Sequence, residues 1–174
     1  PDAGEGWTTE WNSALPEWFA ALAAAVDAGV LLVIDYALEA HRYYTARRSD
    51  GTLMAVRSQQ AGLSPLDQPG EQDLTAHLCI DVVDEAAQRH GWTVGDQAKQ
   101  GEALLALGLA QRLHGLQQLP GQQLAEALQR REALLRLVDP GGLGAFRWLT
   151  YRRGVSEGGF SLSGAPGSSE SRRD

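Results

Sequence analysis

The stretch Gly29-Val30-Leu31-Leu32-Val33-Ile34-Asp35-Tyr36 constrains this chain more than any other. Its β-branched and leucine side chains favour a strand, and the absence of polar alternation fits a parallel strand covered on both faces. The run delivers an acid and a phenol at its carboxyl end, which is where ligands gather in open α/β sheets. Upstream, Leu15, Trp18, Phe19, Leu22 and Val26 recur at three- and four-residue steps. That spacing predicts a helix with Asn12 or Ser13 as N-cap, Pro16 in its first turn and Gly29 as its C-terminal glycine. Residues 1–12 read as an irregular lead-in.

Residues 37–72 carry Gly and Pro but little periodicity, which predicts a long loop, either functional or mobile. Its Arg42, Tyr43, Tyr44, Arg47 and Arg48 fit a solvated loop, with a surface for an acidic partner as the alternative. Asp81 is expected to cap a helix over residues 82–90, with Asp84 at the third helical position of a capping box and Gly91 ending it. Residues 92–97 predict a strand weakened by Gly95. Two helices, about 102–116 and 122–138, flank the Pro120-Gly121 break. Leu124, Leu128, Leu135 and Val138 form one stripe on the second, suited to core packing or to a partner. Residues 146–151 predict a last strand. Residues 154–174 are rich in Gly, Ser and charge and are expected to be a disordered tail.

Composition narrows the function classes. The 174 residues, 43% hydrophobic, suffice for one domain with a core. A net charge of −7 argues against a phosphate-neutralising nucleic-acid surface. No apolar run reaches the roughly 20 residues that cross a bilayer, and the apolar segment near residues 20–26 lacks the basic flank of a secretory signal. A cytoplasmic location is the resulting default. The single Cys79 rules out an internal disulfide, is expected to be buried and inert, and leaves no metal-ligand cluster. The chain starts at Pro1 and its only methionine is Met54, so it is expected to be a piece of a longer protein. The element order (strand, long loop, helix, strand, helical pair, strand) is that of the closing half of an α/β sheet, and three strands alone leave a long unpaired edge.

In series, Gly29, Asp35-Tyr36, Gly51-Thr52, Asp73-Leu74-Thr75-Ala76-His77, Gln97, Leu104-Leu105-Ala106-Leu107-Gly108 and Asp139-Pro140 with Gly144 resemble the MidA-like methyltransferase family. That family includes the mitochondrial complex I assembly-factor protein arginine methyltransferase. The match runs in order from about Trp11 to Tyr151; Ala37 stands where the family usually has glycine. The resemblance implies a class I, Rossmann-like fold using S-adenosyl-L-methionine, of which residues 1–153 would be the C-terminal portion. It places residues 30–34 as the fifth strand and residues 92–97 and 146–151 as the last two. These would pair antiparallel, with the helices of about 102–138 inserted between them. No glycine-rich turn from strand to helix occurs here, and Gly141-Gly142-Leu143-Gly144 follows a helix, so the cofactor-binding residues are expected upstream of Pro1.

Five residues are candidates for chemistry. Asp35 at a strand end suits orienting and neutralising a guanidinium during methyl transfer, or caps its own loop. The phenol of Tyr36 would contact substrate or simply pack. Asp73 and Thr75 would touch substrate or cofactor, or form an Asx or Thr turn. His77 suits a proton acceptor, or a hydrogen-bonded structural role. Asp35, Asp73 and His77 are therefore the catalytic candidates, and Tyr36 and Thr75 the substrate-binding ones. The implied function is methyl transfer to a protein side chain such as arginine, with this chain alone inactive. The rival is a non-catalytic factor that holds a protein partner. Oligomeric state is silent in the sequence.

Overall fold

The computed structural model describes residues 4–58, 60–156 and 162. In chain order its elements are α1 (Leu15–Ala25), β1 (Gly29–Asp35), β2 (Ala37–Leu38), α2 (Ala40–Tyr43), β3 (Met54–Arg57), β4 (Gln60–Leu63), β5 (Asp73–Thr75), β6 (Leu78–Cys79), α3 (Ile80–Arg89), β7 (Thr93–Lys99), α4 (Gln100–Ala106), α5 (Leu109–Gln117), α6 (Leu124–Val138) and β8 (Arg147–Arg153). The main sheet has the order β1-β8-β7. Both pairings are antiparallel, with Gly29 opposite Arg153 and Asp35 opposite Arg147. The antiparallel last pair and the helices between its strands follow the expected arrangement.

The strand of residues 30–34 is not covered on both faces. Burial alternates along β1. Leu31 and Val33 pack into the core with Phe19, Ile80, Val83, Trp92, Leu149 and Tyr151. Val30, Leu32 and Ile34 on the other face are 42%, 37% and 45% exposed. Among the described residues β1 pairs only with β8, and antiparallel rather than parallel. A run without polar alternation signals two apolar faces; it does not say that both covers lie within 174 residues.

The core lies between the inner face of this sheet and the pair α1 and α3. Phe19 meets Tyr151 edge-on at 5.6 Å between ring centroids. The Tyr151 hydroxyl donates to Asp84 Oδ1 at 2.8 Å, and Gln97 Nε2 donates to the same carboxylate at 2.9 Å. Burial, and then the Asp84 carboxylate, push the Tyr151 phenol far above its ordinary pKa. Asp84 thus serves the core and not a capping box. Asp81 is not the cap either: α3 begins at Ile80 after Cys79, and Asp81 Oδ2 accepts the Ala40 N–H at 2.6 Å.

Helix ends depart from the sequence reading in other places. Ala14 takes the N-cap position of α1 with no side-chain hydrogen bond, and Pro16 sits in the first turn as expected. Gly29 opens β1 and has no positive φ; the helix ends at Val26 in an extended conformation. Arg153 closes both α1 and α3, donating to the Val26 carbonyl at 3.1 Å and the His90 carbonyl at 2.9 Å. A cation suits helix C-termini, whose last carbonyls lack intrahelical partners. The helix expected over 102–116 is two helices, broken at Gly108 with φ +98°. Gly95 lies where the β7–β8 register shifts, between Val94 and Gln97, in line with the expected weakening of that strand; it also admits Thr150, whose Oγ1 would lie 2.5 Å from an added Cβ.

The expected long loop of residues 37–72 is partly structured. It contains α2, a 3-10 turn at 46–48 and two strands of a second sheet, order β4-β3-β5. Tyr43 is only 3% exposed, so it does not belong to a solvated loop. Cys79 is buried and unpaired, as expected. The tail reading of 154–174 falls mostly outside the described residues. Leu162, which is described, is buried, and its N–H donates to Asp96 Oδ2 at 2.8 Å.

Candidate functional site

The carboxyl end of β1 meets the loop that enters β6. The short parallel pair β2–β6 joins them, and the Leu78 N–H donates to the Tyr36 carbonyl at 2.8 Å. This pairing brings Asp35, Tyr36 and His77 together although 42 residues separate the first from the last. The Tyr36 ring lies 4.2 Å from Phe146 and 5.7 Å from His77 between centroids. Asp35 Oδ1 accepts the Tyr36 N–H at 2.7 Å, so the acid does close its own turn while its remaining lone pairs stay available. Beside it, Arg147 donates to Glu39 at 2.8 Å. Hydrogen bonding to its own backbone and the Arg147 charge outweigh burial and hold the Glu39 carboxyl below its ordinary pKa.

His77 stands between this cluster and a cavity of about 290 Å³ whose walls include Trp11, Leu15, Tyr44, Cys79 and Val82. Its Nδ1 is buried without a hydrogen-bond partner. Burial first, and the Arg48 guanidinium second, lower the imidazole pKa, against the opposing pull of Asp35 and Glu10. The ring is therefore neutral near pH 7, the form able to accept a proton.

The position of His77 depends on a residue that sequence reading missed. Glu10, in the expected irregular lead-in, accepts the Thr52 N–H at 2.8 Å, the Thr52 hydroxyl at 2.8 Å, the Leu53 N–H at 2.9 Å and the Tyr43 hydroxyl at 3.0 Å. Burial alone would raise its carboxyl pKa; the Thr52, Leu53 and Tyr43 donors together reverse that and lower it. Thr52 Oγ1 in turn accepts the His77 N–H at 3.0 Å. Gly51 makes the approach feasible: its φ is +83°, and a Cβ there would lie 2.2 Å from Glu10 Oε1. The available signal was Gly51-Thr52, a turn glycine beside a hydroxyl, yet nothing local told which acid would fill it.

Asp73 lies apart. It is exposed on β5 opposite Val56 and makes no hydrogen bond or ion pair with Asp35, Tyr36 or His77. Thr75 is half-buried on the same strand, opposite Met54. Among the described residues no group of acids, histidines and cysteines is placed to hold a metal ion. No helix among them is long and apolar enough to cross a membrane.

The glycines of 141–144 do not form an anion cradle. The Gly141 N–H donates to Asp139 Oδ1 at 3.0 Å, and the Gly142 and Gly144 N–H groups donate to the Asp139 carbonyl at 3.0 and 2.9 Å. Their donors are already engaged within the turn that ends α6. A Cβ on Gly144 would sit 2.5 Å from the Val138 carbonyl, so this glycine is a packing requirement.

Comparison with known proteins gives concordant results. Residues 1–97 match a family described as "Putative S-adenosyl-L-methionine-dependent methyltransferase". No curated protein matches the sequence. Among solved structures, a COG1565 superfamily member from Burkholderia thailandensis bound to S-adenosyl-homocysteine superposes with a TM-score of 0.82 at 28% identity, covering 95% of this chain. An uncharacterized COG1565 superfamily protein from the same organism gives 0.81 at 28% identity over 95% of this chain. The chain spans 42% and 43% of the lengths of these two proteins.

Proposed function

Because the chain belongs to the S-adenosyl-L-methionine-dependent methyltransferase family matched by its first 97 residues, we propose that it forms the methyl-acceptor side of a methyltransferase acting on a protein side chain, arginine in particular. S-adenosyl-L-methionine is the cofactor of that family. The described residues do not by themselves make a cradle for it: no glycine turn links a strand to a helix, and the 141–144 amides are engaged internally. The unpaired edge of β1 and its exposed Val30, Leu32 and Ile34 support a further part of the sheet completing the site.

The observation that carries the acceptor-side reading is the convergence of Asp35, Tyr36 and His77 at the carboxyl end of β1. Asp35 orients and neutralises a cationic acceptor, since it keeps lone pairs free at a strand end. Tyr36, held between Phe146 and His77, forms a flat wall against which a planar group can lie. His77, neutral and partly desolvated, takes the proton that the acceptor nitrogen must lose. A MidA-like arginine enzyme working in the cytoplasm fits these features. The outward leucines of α6 support the rival reading, a protein-holding factor without catalysis, since Leu124 and Leu128 are 57% and 55% exposed.

The test compares the 174 residues alone with a polypeptide extended to the length of the solved relatives, using radiolabelled S-adenosyl-L-methionine and amino-acid analysis of the methylated product. The expected result is label on arginine with the extended protein and none with the 174 residues. Label on another acceptor removes the arginine assignment, and turnover by the 174 residues removes the claim that the site is incomplete. Binding of protein without any methyl transfer by the extended form favours the holding factor.

A further inference from the structure

The helical region between β7 and β8 holds a second surface, remote in role from the β1 end. Between α5 and α6 runs a groove of about 580 Å³, with Leu116, Leu119, Leu134 and Leu137 among its walls and Arg112 and Arg130 at its margins. Helices this short are marginal alone and rely on burying an apolar face, and Leu119, in the turn between α5 and α6, stays 36% exposed beside them. The arginines are the groove's only charged wall residues. A small molecule needs several placed polar groups to orient it, and this lining supplies little beyond two guanidinium groups.

Charge says what would cover it. The chain as a whole carries −7, but residues 109–138 hold four arginines against two glutamates. Arg130 is bridged to Glu126 and Arg136 to Glu132. The Arg112 backbone N–H donates to the Gly108 carbonyl, but its guanidinium makes no ion pair or hydrogen bond among the described residues. An apolar groove with an unneutralised cation at its rim, on an otherwise acidic chain, selects a ligand that is apolar on one side and acidic beside it.

We propose that the α5–α6 groove is a docking site for an amphipathic helix whose leucine stripe is flanked by acidic residues, with Arg112 as the selecting charge. The occupant's apolar side chains enter between Leu116, Leu119, Leu134 and Leu137 as a third helix laid on the pair, and its acid meets Arg112 at the rim. The rim charge sets preference and salt dependence, while the leucines supply the buried area.

Fluorescence anisotropy with two labelled peptides of about 18 residues tests this, both carrying leucines at helical spacing, one flanked by glutamates and one by lysines. The intact chain is expected to bind the glutamate peptide and to prefer it by about tenfold or more over the lysine peptide. Arg112→Glu is expected to reverse that preference, a result that a merely unfolded variant cannot give. Leu119→Glu is expected to abolish binding of the glutamate peptide. Equal binding of the two peptides, no binding of either, an unchanged preference in Arg112→Glu, or displacement of the peptide by self-association of the chain would each overturn the proposal.

Discussion

Two carboxylates lie near His77 and differ in everything but their charge. Glu10 accepts bonds from Thr52, Leu53 and Tyr43, so its oxygens are saturated. Asp35 accepts only the next residue's N–H among the described residues. Both draw the imidazole pKa upward against burial and Arg48. A saturated acid organises a loop and has nothing left for a ligand. An acid at a strand end with one bond keeps capacity for a substrate. The difference separates the residue that builds this site from the residue suited to act in it.

The sharpest way to break that contrast is Gly51→Ala. The variant needs a positive φ and places a Cβ against Glu10 Oε1, so about 3 kcal/mol of stability should be lost in urea unfolding. Little change would mean that the Glu10 loop is not held as described.

Glu10→Gln should cost about 2 kcal/mol at neutral pH, because buried Tyr43, half-buried Thr52 and the Leu53 N–H lose a charged acceptor. The sign of its pH dependence follows from the depressed carboxyl pKa. A lowered folded-state value contributes stability above the ordinary value of 4.5, and that contribution is lost as pH falls through the folded value. The gap between wild type and Glu10→Gln should therefore narrow on acidification; a gap that widens contradicts the assignment.

Thr52→Val removes one donor to Glu10 and the acceptor for the His77 N–H, with an expected cost of about 1 kcal/mol and a displaced His77 amide resonance. The smallest stability effect belongs to Asp35→Asn, within about 0.5 kcal/mol. Its signature is electrostatic: the His77 pKa measured by NMR should fall, whereas Arg48→Ala should raise it. Identical titrations in the two variants would show that neither charge reaches the ring. In the extended protein, Asp35→Asn should impair methyl transfer far more than folding.

Much of the fold was legible because it follows from local pattern. The apolar steps from Leu15 to Leu22 specify α1, the run from Val30 to Ile34 specifies β1, and Gly91 ends α3 with φ +77°. The family motifs Gly51-Thr52 and Pro140 to Gly144 were visible as letters, and the structure gives their reasons in close backbone approach. Illegible were features set by distant partners. Asp81 and Asp84 both suit helix caps, but Ala40 and Tyr151 claim them. The leucine stripe on α6 reads as core or as a partner surface alike, and Leu124, Leu128 and Leu135 are in fact exposed, because periodicity marks a face without naming its neighbour.

The sequence by itself determined the types of α1, β1, α3, β7, α6 and β8, the acidic charge, the family resemblance and the placement of Asp35 and Tyr36 at a strand end. These rest on interactions within a few residues, where spacing and side-chain type suffice. Only the tertiary structure decided that Glu10 holds Thr52, that Thr52 holds His77, and that β1 buries one face and exposes the other. Those outcomes depend on which surfaces meet across 25 residues of chain or more, over 100 for the β1–β8 pairing, and local propensity carries no information about a partner that far away.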